Sequence, residues 1–341
     1  MSLNAILPKK GGLFRYSAWD AVPVAMAVVH LLYIGAMYAA FTYLLIPLAA
    51  KIALMFVMGI IYSFSISWNI NGISHNFIHN RYFNSAFLNR IFSLLESVDC
   101  CFSQILYDYI HRRHHMGNSD KPQDGKDTID WISIYRHGHD GHAENVWSFT
   151  FLSFFREEPI EAWKQIKRLN EREAVWAIVE VASTAFFLTG ISLLSWWQNG
   201  WTLSGLGHDF IWYFLPFWYF GHCLSYLNGY FEHFGGNPDV PIAWGVSSYN
   251  WLYNIVWFNN GFHAEHHYRP RAHWTRMKLL HDQIEQEQRE KGTRVIQPPH
   301  AFGFMDPEVC DEPLVPLAKK GENAPEANNL VDTTSTRDAG V

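Results

Sequence analysis

Apolar residues in this chain are gathered into blocks. From Ala21 to Ala50 there is no Asp, Glu, Lys or Arg. At about 1.5 Å per residue, a helix of that length exceeds the roughly 30 Å hydrocarbon core of a bilayer and can tilt. Lys51 interrupts, and Ile52 to Ile70 forms a second uncharged stretch. Val175 to Trp197 is a third, with Glu180 as its only charge, and Phe210 to Phe231 is a fourth, uncharged and dense in aromatics. The pattern predicts an all-α, integral-membrane fold with four transmembrane helices, at about 21–50, 52–70, 175–197 and 210–231, arranged as two hairpins with a cytosolic helical cap that carries the histidine clusters described below. The competing reading is a buried helix pair in a large soluble protein, where charge-free runs this long are rare. Val146 to Phe155 and Tyr249 to Phe258 are short, aromatic and apolar, suited to the membrane interface or to the core of a cytosolic cap. From about Asp306 the chain turns rich in Pro, Glu, Asn, Thr and Lys. This predicts a membrane domain over 1–304 and a disordered tail over 305–341.

Charge then sets the expected orientation. Twelve Lys or Arg lie between Asn71 and Ala174, ten follow Phe231, and Lys9, Lys10 and Arg15 precede the first span. Lys51 is the only cation between the first two spans, and Gln198 to Asp209 has none. The positive-inside tendency therefore puts both long segments and both termini in the cytoplasm. The first twenty residues lack the charged-then-apolar layout of a signal peptide.

Composition adds three points. Mean hydropathy, −0.09, is that of a soluble protein and hides the blocks. The 15 Trp suit two membrane–water interfaces. A net charge of −6 argues against a nucleic-acid partner. The four cysteines, Cys100, Cys101, Cys223 and Cys310, contain no Cys-x-x-Cys pair, so a zinc ribbon, fused rubredoxin or iron–sulfur domain is not indicated.

Half of the 18 histidines fall into four clusters: His75 and His79; His111, His114 and His115; His233; and His263, His266 and His267. Residues three or four apart share a helix face, so each cluster can aim its imidazoles at one point. With four crossings, all nine lie on one side of the membrane. Nine imidazoles suffice for two metals with open positions, whereas one zinc takes about four ligands and usually mixes in Cys or carboxylate. Imidazole suits Zn, Cu, Fe and Ni, so ligand type leaves the metal open. Soluble diiron oxygenases use Glu and Glu-x-x-His motifs, and no such run dominates here. His30, His208 and His222 are expected to be satisfied core residues. His137, His139 and His142, in a Gly-containing stretch, are expected to be solvated.

The pattern His-x-x-x-His, His-x-x-His-His and His-x-x-His-His, interleaved with two hairpins, resembles the integral-membrane fatty-acid desaturase superfamily, which includes alkane hydroxylases. The resemblance covers roughly 21–280. It implies two irons held by the boxes, O2 activation, and a fatty acid or fatty acyl substrate. GYFEHFG also resembles the Asn-Tyr-x-Glu-His motif of alkane hydroxylases, which carries His233 over as a ninth ligand, although Asn228 sits one residue further from the histidine than in that motif. The second box has desaturase spacing. Desaturation is therefore the expected reaction. Hydroxylation of an alkyl or acyl chain and oxidative decarboxylation of a free fatty acid to a terminal alkene are the alternatives. A zinc membrane metallohydrolase and a haem-binding cytochrome are rivals from other classes.

Methylene C–H bonds offer no handle for acid–base chemistry, so a redox metal with O2 in a water-poor site is the fitting device. Asp108, Glu232, Asn259 and Glu265 are candidates, by nearness in sequence, for fixing imidazole tautomers. Phe64, Trp68, Trp218 and Tyr226 are candidate channel walls. Arg81, Arg112 and Arg113 are candidate head-group holders. No flavin or nicotinamide fingerprint is present, so electrons are expected from a separate ferredoxin, rubredoxin or cytochrome b5-like donor, met by Arg112, Arg113, Lys121 and Lys126. Membrane lipids are the remaining expected partner.

Overall fold

The computed structural model describes residues 12–123 and 126–307, so the tail from 308, Cys310, Lys9 and Lys10 lie outside the described residues. The fold is all-helical, with only isolated β-bridges besides helices among the described residues. Helix α1 (Ala21–Tyr43) is followed by α2 (Leu48–Trp68), which runs through a π-helical turn, Asn69–Ser74, into α3 (His75–His79). The break between the first two spans thus falls at 44–47 rather than at Lys51. Pro47 explains it. Proline has no N–H to continue α1 and biases the residue before it away from helix, so Lys51 sits in the first turns of α2.

Among the described residues, three helices are long and apolar enough to cross a membrane: Ala18–Tyr43, Leu48–His79 and α8 (Glu171–Gln198). Their large apolar side chains point outwards, among them Leu32, Ile52, Phe56, Val175 and Phe186, the last 82% exposed. Apolar side chains on the outside suit lipid rather than water. The fourth expected span is also a helix, Phe210–His233, the tenth element after the short Leu203–Gly207 (α9). This α10 is about 36 Å long, enough to cross, but it mixes polar and aromatic residues and is the most enclosed of the long helices. A Cβ on Gly221 would lie 2.6 Å from Ile66 Cβ, so the lack of a side chain there lets α10 lie directly against α2.

Helices α4 (Ala86–Cys100) and α5 (Gln104–Gly117) form a hairpin that dips into this bundle. Its turn is made by Cys101 in the left-handed region (φ 55°) and by Ser103, which caps α5. The turn is held from α10, where Trp218 Nε1 donates to Cys100 O at 3.0 Å and His222 Nε2 to the same oxygen at 3.1 Å. The lone charge of the third span has its use here. Glu180 accepts from Ser93 Oγ (2.5 Å), Ser103 Oγ (2.6 Å) and Ile105 N (3.0 Å), so a span carboxylate satisfies the N-terminus of the helix that carries the second histidine box. Replacing Glu180 with leucine strands those donors and is expected to cost about 2–3 kcal/mol, seen as a lowered melting temperature in detergent. An unchanged melting temperature would contradict this role.

Helices α6 (Val146–Arg156) and α7 (Pro159–Leu169) close one side of the bundle, and α11 (Trp251–Val256), α12 (His263–Tyr268) and α13 (Met277–Glu290) cover its end. The two short aromatic stretches differ from a pure core: Phe155 (70%), Trp251 (71%) and Ile255 (68%) are exposed, which favours the interfacial reading. Asp20, fully buried just before α1, takes Trp274 Nε1 at 2.9 Å and lies 3.0 Å from His273 Nε2, tying α1 to the segment after α12.

Candidate metal centre

The end of α2–α3, the C-terminal half of α5, the last turn of α10 and α12 converge. They bring together the nine clustered histidines and divide them into two groups. One holds His75, His79, His111, His115 and His266; the other holds His114, His233, His263 and His267. Within each group the donor atoms all lie within 4.8 Å of one another. In the first, the Nε2 atoms of His75 and His266 are 2.8 Å apart, His111 and His115 3.0 Å, His115 and His266 3.0 Å, and His79 and His115 3.2 Å. In the second, His233 and His263 Nε2 are 3.1 Å apart.

These separations test the fit of a metal. Ligand nitrogens at about 2.1 Å from one ion, at tetrahedral or octahedral angles, lie about 3.0–3.4 Å apart. Burial, reinforced by the mutual repulsion of the imidazoles, pushes His111, His115, His263, His266 and His267 well below the ordinary histidine range. They are therefore neutral, the form that ligates metals. A neutral imidazole nitrogen has at most one proton to share, so His115 Nε2 cannot satisfy His79, His111 and His266 at once by hydrogen bonds, whereas a cation among these nitrogens would satisfy them all. His267 shows this most plainly. Asn118 Nδ2 donates to His115 O (2.7 Å), which turns Asn118 Oδ1 towards His267 Nδ1 at 2.6 Å. His267 then donates from Nδ1, and its buried Nε2 lone pair has no protein partner. The donor set fits two metal ions.

The outer partners come mostly from residues that sequence proximity missed. Asp130, fully buried, lies 2.8 Å from His114 Nδ1 and also accepts from Ser119 N and Ile132 N, both at 2.9 Å. Burial acts to raise the Asp130 pKa, but the charge and hydrogen bond of His114 outweigh it, so the carboxyl titrates below its ordinary range. Asn118 ends α5 in the left-handed conformation (φ 50°) and is thus a helix cap as well as the His267 partner. Glu232 lies 3.7 Å from His263 Nδ1 and is fixed by Asn228 Nδ2 and Asn260 Nδ2, each at 2.7 Å. Asn228, whose offset from the hydroxylase motif left its role open, is thereby part of the carboxylate's support. His300 belongs to the same network, with Nδ1 3.1 Å from Tyr253 OH, and burial lowers its pKa to about 3.

The other proximity candidates lie elsewhere. Glu265 is buried but accepts from Ser247, Tyr249 and His281. Asp108 pairs with Arg81 (3.0 Å) and Arg112 (2.7 Å). Asn259 donates to Trp274 O. His30 and His222 are buried with hydrogen-bond partners, as expected, whereas His208 is exposed. His137 and His139 are exposed and His142 half-buried, outside both groups.

A cavity of about 170 Å³ runs along α5 and α10 to the histidines, reaching His75, His111, His114, His233 and His263. Of the expected channel walls only Tyr226 lines it. Phe64 is exposed, Trp68 donates to Val256 O, and Trp218 packs behind the wall on Phe154 and His222. Arg81, Arg112 and Arg113 do not line it; Arg113 lies over the Trp131 ring. A family model described as fatty acid desaturase matches residues 50–299. The chain belongs to that family. The match contains all nine histidines and stops short of α1 at one end and of the last described residues at the other. No curated protein matches the chain. Membership implies a diiron fatty-acyl oxidoreductase, and the two all-histidine groups of this desaturase-family chain are where metal could bind.

Proposed function

We propose that this chain is a membrane-bound, O2-dependent diiron desaturase of a fatty acid or fatty acyl chain, with His75, His79, His111, His115 and His266 holding one iron and His114, His233, His263 and His267 the other. The division of the nine histidines into groups of five and four around one apolar cavity carries this reading. Iron in these groups would supply O2 activation and oxidation of a substrate C–H bond. The chain's own part is positioning. Asp130, Asn118 and Glu232 orient imidazoles, while Phe149, Phe154 and Ile110 line a water-poor channel that decides which carbon faces the centre.

In this reading 1–304 is one membrane domain, α1, α2, α8 and α10 are its four spans, and both termini and the centre face the cytoplasm. Supporting it, α3 and the last turn of α10 end beside the same histidines, and the cations crowd onto that side. Electrons come from a separate donor. His79 and His115 are only half-buried beside Arg112, which is 69% exposed, so the five-histidine group has an edge towards the surface. Product analysis of cells expressing the chain and fed a deuterated free fatty acid is expected to show loss of two hydrogens at unchanged chain length, with about two irons per purified chain. A terminal alkene one carbon shorter would replace desaturation with decarboxylation. Two zincs without iron would overturn the oxidant reading.

A further inference from the structure

The cavity is lined by no Lys or Arg among the described residues, and its two carboxylates are differently placed. Glu232 sits beside His263 and is held by two asparagines. Glu157 lies at the junction of α6 and α7, where Tyr226 OH donates to it from α10. It is exposed, and it also lines the small neighbouring pocket, so it marks where the cavity meets its surroundings. That neighbouring pocket contains two arginines, and both already hold acids. Arg136 pairs with Asp127 (2.6 Å) and Glu158 (2.5 Å), and Arg156 holds both oxygens of Glu144, at 2.7 and 2.8 Å. The two guanidiniums are thus taken up by Asp127, Glu158 and Glu144, and Glu157 has no ion pair among the described residues.

An anionic head group resting in this mouth would meet the Glu157 carboxylate with no uncommitted Lys or Arg to offset it among the described residues that line the two pockets, and like charges in a partly dry site repel strongly. A neutral group bearing O–H or N–H would instead find Glu157 as an acceptor, positioned by the Tyr226 hydroxyl.

Resting on the acyl-oxidant reading above, we propose that Glu157 is a charge filter at the cavity mouth, selecting substrates whose polar end is uncharged and donates a hydrogen bond. An undissociated fatty acid and a fatty alcohol share that chemistry. The phosphate-bearing head of a coenzyme or phospholipid ester does not.

The test is photo-crosslinking of the purified full chain with three diazirine-bearing probes of equal length: an alkanol, an alkanoic acid and an alkanesulfonate. Adducts are mapped to the α5, α6 and α10 peptides that line the cavity. The wild type is expected to take the alkanol at least about tenfold better than the sulfonate. Its labelling by the alkanoic acid should fall as pH rises through the probe's own ionisation, while alkanol labelling does not. Glu157→Gln, a near-isosteric change at an exposed rim, removes the preference, and Glu157→Arg reverses it, both at unchanged iron content. Equal labelling by alkanol and sulfonate in the wild type, or a preference that survives in Glu157→Gln, overturns the filter while leaving the acyl cavity standing. Absence of cavity labelling by any of the three overturns the filter together with the acyl-oxidant reading beneath it.

Discussion

The His267→Ala protein is expected to lose activity by at least about a hundredfold and to fall from two irons per chain to about one. His267 sits in the four-membered group, where each remaining imidazole is already committed. Its Nε2 is buried without a protein partner, and its other nitrogen is engaged by Asn118 at 2.6 Å. Removing the ring leaves three donors where the structure provides four. It opens a polar-walled hole that Asn118 cannot fill, because its own geometry is fixed as the cap of α5. The five-membered group keeps all its donors, which is why half the iron should survive. His139→Ala is the control, since that side chain is exposed and outside both groups. Metal analysis and product quantification on both variants decide the matter. Full activity in His267→Ala would remove this residue from the ligand set, and equal loss in His139→Ala would show that the assay reads stability instead.

The histidines were legible in the sequence because helical spacing does the geometric work within each box: three or four residues apart is one face, whatever the fold. Between boxes, the end of α3, α5, the end of α10 and α12 converge, which brings the nine imidazoles into two groups. Of what surrounds the imidazoles, Glu232 was legible from its place beside His233, and the rest was not. Asp108 is three residues from His111 in sequence, yet its carboxylate is taken up by Arg81 and Arg112. Asp130 lies sixteen residues beyond His114 and reaches it only because Asn118 and Ser119 both adopt positive φ (50° and 55°), folding the following loop back over α5. A non-glycine pair in that conformation has no sequence signature beyond the tolerance of Asn for it. The π-helical turn before His75 is equally silent, since Asn69–Ser74 reads as ordinary helix by periodicity. Pro47 was a local signal that did mark a boundary, and weighing it above Lys51 would have placed the first turn correctly.

The second large effect is expected at Asp130, where structure and metal binding are coupled in one buried carboxylate. Alanine there strands His114 Nδ1–H, Ser119 N–H and Ile132 N–H, each of which now donates to it. Leaving buried donors unpaired costs about 1–3 kcal/mol each, so the Asp130→Ala chain is expected to melt markedly lower. A loss of activity in that variant alone would therefore say little about the centre. Asp130→Asn separates the two roles. Asparagine keeps the volume and one acceptor oxygen, so the loop largely survives. The formal negative charge beside the His114 imidazole is removed, and one donor contact becomes mismatched. Outer partners of this kind are worth about 10- to 100-fold in metal affinity. The expected outcome is a protein that folds but releases one iron to a chelator about 10- to 100-fold more readily than wild type, the other iron being unaffected because Asp130 touches only the four-histidine group. Chelator titration followed by iron counting reads this without recourse to turnover. If both irons weaken together, the two groups act as a single unit and the separate roles assigned to them fail. If neither weakens, Asp130 is a loop anchor alone, and His114 owes its orientation to α5.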